Sequence, residues 1–239
     1  MSIWRRLGEI AVHAAAHIKA GVTNLIGAVR SAVGLDPELR RRVAFSVAMI
    51  ALSAKMAKAD GVVTQDEIRA FHEIFSAPQS ELKNVARLYD LAQQDIAGFE
   101  HYAEQVVKLC GSGKPNCVVL EDILDGLFHI AKADGLLHER ENGFLLRIAE
   151  IFSISEAHYR TIAARHVNFG EADPYVVLGV QHGAAFKDIR KTYRQLVAEN
   201  HPDRLIGRGM PEEFIAIATR RLAAINAAFD VIERELQPA

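Results

Sequence analysis

Apolar residues recur at intervals of three and four along most of this chain, the spacing of one helical face. One stripe runs through Leu82, Val85, Leu88, Tyr89 and Leu91, and another through Phe99, Tyr102, Val106 and Leu109. Further on, Phe186, Ile189, Tyr193 and Leu196 mark a helix from about Ala184 to Glu199. Phe214, Ile217, Leu222, Ile225, Phe229 and Ile232 mark another, starting near Pro211. "YVVLGV" reads as a short apolar helix, capped by Asp173, opened by Pro174 and stopped by Gly179. The pattern predicts an all-α protein.

One segment occurs twice. "AKADGVV" at 57–63 returns as "AKADGLL" at 131–137. The likeness extends outward: Met49 and Ile50 answer to Ile123 and Leu124, Met56 to Ile130, Glu67 to Glu141, and Phe71 to Leu145. Each copy reads as helix, sharp turn, helix, because Gly61 and Gly135 can take the left-handed conformation that ends a helix. Thr64 and Glu67 form a T-x-x-E capping box in the first copy. His138 replaces the threonine in the second, so the cap there is expected to be weaker. Two such hairpins imply pseudo-twofold packing. "CGSGKPNC" at 110–117 is a loop by its Gly and Pro content and lacks the spacing of a phosphate-binding loop.

Breaks in pattern divide the chain into an amphipathic helical segment (1–35), a helical domain with the two hairpins (41–165), and a small helical domain (172–239), separated at "NFGEADP". In the first segment Ile3, Leu7, Ile10, Ala14, Ile18, Leu25, Val29 and Val33 approximate one stripe. His13, His17 and Lys19 interrupt its apolar run, against both a signal peptide and a membrane span. Trp4 beside Arg5 and Arg6 leaves open peripheral membrane contact through residues 1–33; packing against the rest of the protein is the other reading.

Composition sharpens the picture in a few places. Half of the 239 residues are hydrophobic, enough for a sizeable core. A formal charge of −2 gives no global argument for nucleic-acid binding, so any basic site must be local. The two cysteines, Cys110 and Cys117, form no Cys-x-x-Cys pair. Their scarcity fits a reducing compartment, hence an expected cytoplasmic location, with the inner face of the membrane as the alternative.

The local basic site lies near the C-terminus. Lys187, Arg190, Lys191 and Arg194 share one face of their helix. Pro202 then forces the chain to turn, displaying His201 and Asp203, with Arg204 next, at the tip of a helical hairpin. The succession "DPYVVLGV", "IRKTYRQLVAENHPDR" and "INAAFDVI" resembles a J domain of the DnaJ co-chaperone family over about Ala172 to Leu236. The doubled "AKADG" segment is similar to the all-helical TerB family over roughly Arg41 to Arg165. TerB-like followed by a J domain with the long connection "RLIGRGMPEEF" resembles the DjlA-like branch of bacterial DnaJ proteins.

The resemblance implies a DnaK-type chaperone as partner. The basic helix face would meet an acidic surface on that partner. His201, Pro202 and Asp203 would press near the joint between its ATPase domain and its linker, accelerating ATP hydrolysis. The TerB-like domain would serve targeting or sensing. The client stays open. Phe229 stands where many members have Tyr. Neither a Gly/Phe-rich segment nor Cys-x-x-Cys repeats occur, so the zinc-bearing part of full DnaJ is not expected. Members of the DjlA-like branch typically carry a membrane-spanning helix near the N-terminus, for which these residues show no convincing candidate.

No cofactor is expected. A divalent metal held by Asp60, Glu67, Asp134 and Glu141, one pair from each hairpin, is the alternative, since hard carboxylate oxygens suit such ions. The dense ligand alternation of an EF-hand is missing, and helix capping explains the same residues. His129 lies in an apolar helix and is read as packed; His138 stands near Asp134. Neither G-x-S-x-G nor H-E-x-x-H occurs, and His201 with Asp203 is too exposed for an oriented triad. No enzymatic activity is expected.

Overall fold

A computed structural model describes Glu9 and residues 37–60, 69–71, 74, 82–94, 98–109, 118–166, 172–207 and 215–237. The described residues hold ten helices and no strand: α1 (Pro37–Asp60), α2 (Leu82–Gln94), α3 (Phe99–Leu109), α4 (Val118–Ala131), α5 (Glu139–Ile151), α6 (Glu156–Ala164), α7 (Pro174–Leu178), α8 (Phe186–Glu199), α9 (Pro202–Gly207) and α10 (Ile215–Leu236). The stripe of residues 1–33, both cysteines, the Thr64–Glu67 box and the expected start near Pro211 fall outside the described residues. The same holds for the far arm of the first hairpin, apart from isolated helical positions at 69–71 and 74.

The fold is built around α1. From Val47 to Met56 its described side chains are buried on every side, including Ser46 just before and Ser53 and Lys55 within. A helix apolar all round needs neighbours all round, and α2, α3, α4 and α5 supply them. Lys55 keeps its ammonium over the Tyr102 ring, 5.3 Å from the centroid, a placement that lets a charge sit in an apolar setting. Where α1 and α4 approach, Gly126 makes room. A Cβ there would fall 2.7 Å from Met49 Cε and 3.3 Å from Ile217 Cδ1.

The second "AKADG" copy turns earlier than its sequence suggests. Helix α4 ends at Ala131, and hydrogen-bonded turns carry the chain through Asp134 to Gly135, whose φ is +89°. In the first copy helical backbone continues to Asp60.

The C-terminal helices enclose a smaller core of Tyr175, Val177, Leu178, Ile189, Ile225, Ala228, Phe229 and Ile232. Asp173 caps α7 by accepting the Tyr175 N–H at 2.9 Å, and Gly179 ends it with φ +67°. Phe229 stacks on Tyr193 with ring centroids 4.0 Å apart and planes 9° apart, and Phe186 lies 6.0 Å away on the same ring. The Tyr193 hydroxyl donates to Asn226 Oδ1 at 3.1 Å. Phe229, standing where many J domains have Tyr, is thus held between two aromatic rings.

Instead of a plain turn between the long helices, the chain makes the extra helix α9. Pro202 opens it, at the one position where a missing N–H costs nothing, and buried Leu205 anchors it. Leu205, Ile217 and Ala218 join the larger core rather than the smaller one. The C-terminal unit thus leans on the helices before it.

Two stability changes follow. Phe229→Ala removes the stacked ring and should cost about 3–5 kcal/mol in urea unfolding. Gly126→Val overfills the contact between α1, α4 and α10 and should cost about 1–3 kcal/mol in the same measurement.

Candidate functional site

The basic residues of α8 lie where their spacing put them. Lys187, Arg190, Lys191 and Arg194 are all exposed, along a shallow groove that also touches Phe186, Asp188 and Gln237. The opposite side of α8 is held down by Ile189, which is fully buried. Burying that side fixes the rotation of the helix, so the cations must face water together.

Helix α8 ends at Asn200, whose N–H donates to the Leu196 carbonyl. His201 and Asp203 follow, 54 % and 88 % exposed at their side chains. The Asp203 N–H lies 3.3 Å from His201 Nδ1, and the Asp203 carboxylate lies 3.7 Å from the same nitrogen. The His201 carbonyl accepts from the N–H groups of Arg204 and Leu205, closing the first turn of α9. Arg204 reaches back to the Ala198 carbonyl at 3.4 Å. Pro202 is partly buried. The tip projects with His201 just before the short helix and Asp203 in its first turn, and buried Asn200 and Leu205 stand on either side.

Behind the tip is a feature that sequence reasoning missed. Arg221 of α10 is only 5 % exposed, and Asp122 and Asp125 of α4 are 4 % and 2 % exposed. Arg221 donates from Nη2 to Asp122 Oδ1 at 2.7 Å and from Nη1 to Asn200 Oδ1 at 2.9 Å. Its Nε stands 3.2 Å from Asp125 Oδ2. Asp125 Oδ1 is 2.9 Å from His166 Nε2, and the His166 ring stacks on Phe128.

The titration behaviour follows from the surroundings. Burial pushes Asp122 up to about 6, against the pull of Arg221. Burial would raise Asp125 too, but Arg221 and then His166 overcome it and hold that carboxyl well below the usual range. Burial opposes the charge on Arg221, yet Asp125 and Asp122 keep the guanidinium ionised beyond its ordinary range. Arg165, also enclosed, is lowered to about 10 by burial and by the nearby Arg221 charge.

The residues considered for a metal are not brought together by what is described. The Asp60 side chain and Glu67 fall outside the described residues. Asp134 Oδ1 accepts the Leu136 N–H at 2.9 Å, and its other oxygen lies 3.6 Å from His138. Glu141 accepts the His138 N–H at 2.9 Å, one half of a capping box. Both carboxylates thus serve their own turn. Among the described residues no group of three or more His, Cys, Asp or Glu side chains gathers as a metal ion would require. His129 is half-buried and contacts Arg220 of α10, at the junction of the two units rather than inside the core. No described helix is long and apolar enough to cross a membrane.

Comparison with known proteins matches this architecture on both sides. The family model described as "Tellurite resistance protein TerB" matches residues 46–164, and the DnaJ domain model matches residues 173–236. The chain is 29 % identical over 222 residues to the co-chaperone protein DjlA of Photobacterium profundum, covering 82 % of this chain and 79 % of that protein. To DjlA of Vibrio cholerae it is 27 % identical over 250 residues, with 91 % and 87 % covered. To DjlA of Coxiella burnetii it is 27 % identical over 199 residues, with 75 % and 73 % covered. No solved structure gives a significant match. A TerB domain thus leads into a DnaJ domain whose polar tip stands beside a cationic helix, and over most of its length the chain is similar to the DjlA co-chaperones of the DnaJ family.

Proposed function

We propose that this co-chaperone docks on a DnaK-type chaperone and raises its rate of ATP hydrolysis, with the chemistry remaining in the partner. The observation that carries the reading is the exposed His201–Asp203 tip projecting beside a helix whose cations all face one way. Lys187, Arg190, Lys191 and Arg194, with Arg204 at the tip, supply long-range attraction to an acidic surface and fix the approach. Pro202 sets the turn, and His201 and Asp203 present one imidazole N–H and one carboxylate for directional bonds. The co-chaperone acts by favouring one conformation of its partner, so it needs neither nucleotide nor catalytic residue of its own. The TerB domain serves targeting or sensing.

A steady-state ATPase assay with the cognate DnaK-type chaperone tests this. Wild type should stimulate hydrolysis and His201→Gln should not, while both keep the same helical circular dichroism. Equal stimulation by the two proteins would refute the reading. The charged face makes a separate claim. Lys191→Glu combined with Arg194→Glu should raise the half-maximal co-chaperone concentration by about tenfold or more, the effect of misplacing charge against a complementary surface. Raising salt from 50 to about 300 mM should shrink the difference as the charges are screened.

A further inference from the structure

We propose that Arg221 is a positioning residue through which the TerB domain holds the His-Pro-Asp tip in its docking geometry; the inference rests on the ATPase reading above. The argument begins with Asn200, the residue immediately before His201. Its side chain is buried, and its Nδ2 already donates to the Leu196 carbonyl at 2.8 Å. Its Oδ1 accepts from Arg221 Nη1 at 2.9 Å. The last turn of α8 is therefore closed by an amide held at both ends, by the Leu196 carbonyl and by the Arg221 guanidinium.

That guanidinium is in turn placed by another domain. Nη2 and Nε of Arg221 face Asp122 and Asp125, both on α4 of the TerB domain, and Asp125 is steadied by His166 at the end of α6. A planar fork with fixed donors transmits position in a way a flexible ammonium cannot. Inside, where water does not screen the charges, the guanidinium goes where the carboxylates are. The connection runs Asp122 and Asp125 to Arg221, to Asn200, to His201. Leu205, on the other side of the tip, also belongs to the larger core. The tip is thus tied to the TerB domain through Asn200 and Arg221, although His201 and Asp203 themselves are exposed.

When α4 and α10 stand apart, Arg221 loses both carboxylates and Asn200 loses its fixed donor. The tip then samples other orientations, and only a fraction of molecules can dock. The apparent affinity for the partner falls by that fraction, while the rate at saturation is preserved. Domain apposition in the co-chaperone therefore tunes its affinity for the chaperone.

Asp122→Asn, nearly isosteric, removes one carboxylate charge and leaves Asp125. Arg221→Lys keeps the charge and removes the fork. Both full-length variants are compared with wild type and His201→Gln, by ATPase titration against the DnaK-type chaperone and by amide hydrogen exchange. Each variant should raise the half-maximal concentration about five- to tenfold, with the saturating rate within about twofold of wild type. Exchange at Asp203, Arg204 and Leu205 should quicken while amides of α1 and α5 keep wild-type protection. An unchanged half-maximal concentration, in protein that still loses activity with His201→Gln, overturns the inference and leaves the ATPase reading standing. Loss of protection spread equally over α1 and α5 also overturns it, because Arg221 would then only hold the fold together. If wild type itself fails to stimulate, the ATPase reading falls. The exchange data then decide the linkage alone, and unchanged exchange at 203–205 overturns it.

Discussion

A guanidinium excluded from water must have carboxylates beside it, and that requirement joins the two halves of this molecule. Arg221 comes from one family domain, and Asp122 and Asp125 from the other. Neither partner tolerates burial alone: stripping one side from a buried ion pair costs about 3–5 kcal/mol, whereas an exposed pair contributes almost nothing. The two domains share a boundary because their charges are of no use apart. The apolar contribution of Leu205, Ile217 and Ala218 to the larger core follows the same boundary.

Positive charge does opposite work a short distance away. On α8 the cations stay exposed to water, and their field reaches past the surface as far as salt allows. In the junction Arg221 is buried and acts at touching distance, held by Asp122 and facing Asp125. His201 sits between the two regimes. The backbone before it is tied to the dry network through Asn200, and its ring is more than half exposed.

Much of this was legible in the spacing of residues. The stripes on α2, α3, α8 and α10, the Asp173 cap, the Gly179 stop and the single cationic face all follow from local rules, and local rules govern short-range geometry well. Helix α9 was not foreseen, because a six-residue helix opened by Pro202 looks like a turn until Leu205 finds its burial site. The Arg221 network was not foreseen either, for a different reason. Its partners lie 99 and 96 positions away, beyond any periodicity. A faint signal did exist. Arg221 falls on the stripe through Ile217 and Ile225, and Asp122 and Asp125 interrupt the apolar run of α4. A charge standing where a Leu belongs asks for a counter-charge, but one chain cannot say which. The metal alternative followed the visible repeat, in which Asp134 and Glu141 answer to Asp60 and Glu67; of these, Asp134 and Glu141 are each engaged within their own turn.

Leu205 carries a last implication. In a self-sufficient module the residue just past the tip would face only its own helices, and the module could be shuffled freely between proteins. Here that leucine is buried in one cluster with Ile217, Ala218 and the preceding domain's core. Transplanting the C-terminal unit onto a foreign scaffold would uncover that cluster where Ile217 meets Gly126 of α4. A foreign scaffold would have to offer an apolar surface of matching shape there, with carboxylates for Arg221 beside it.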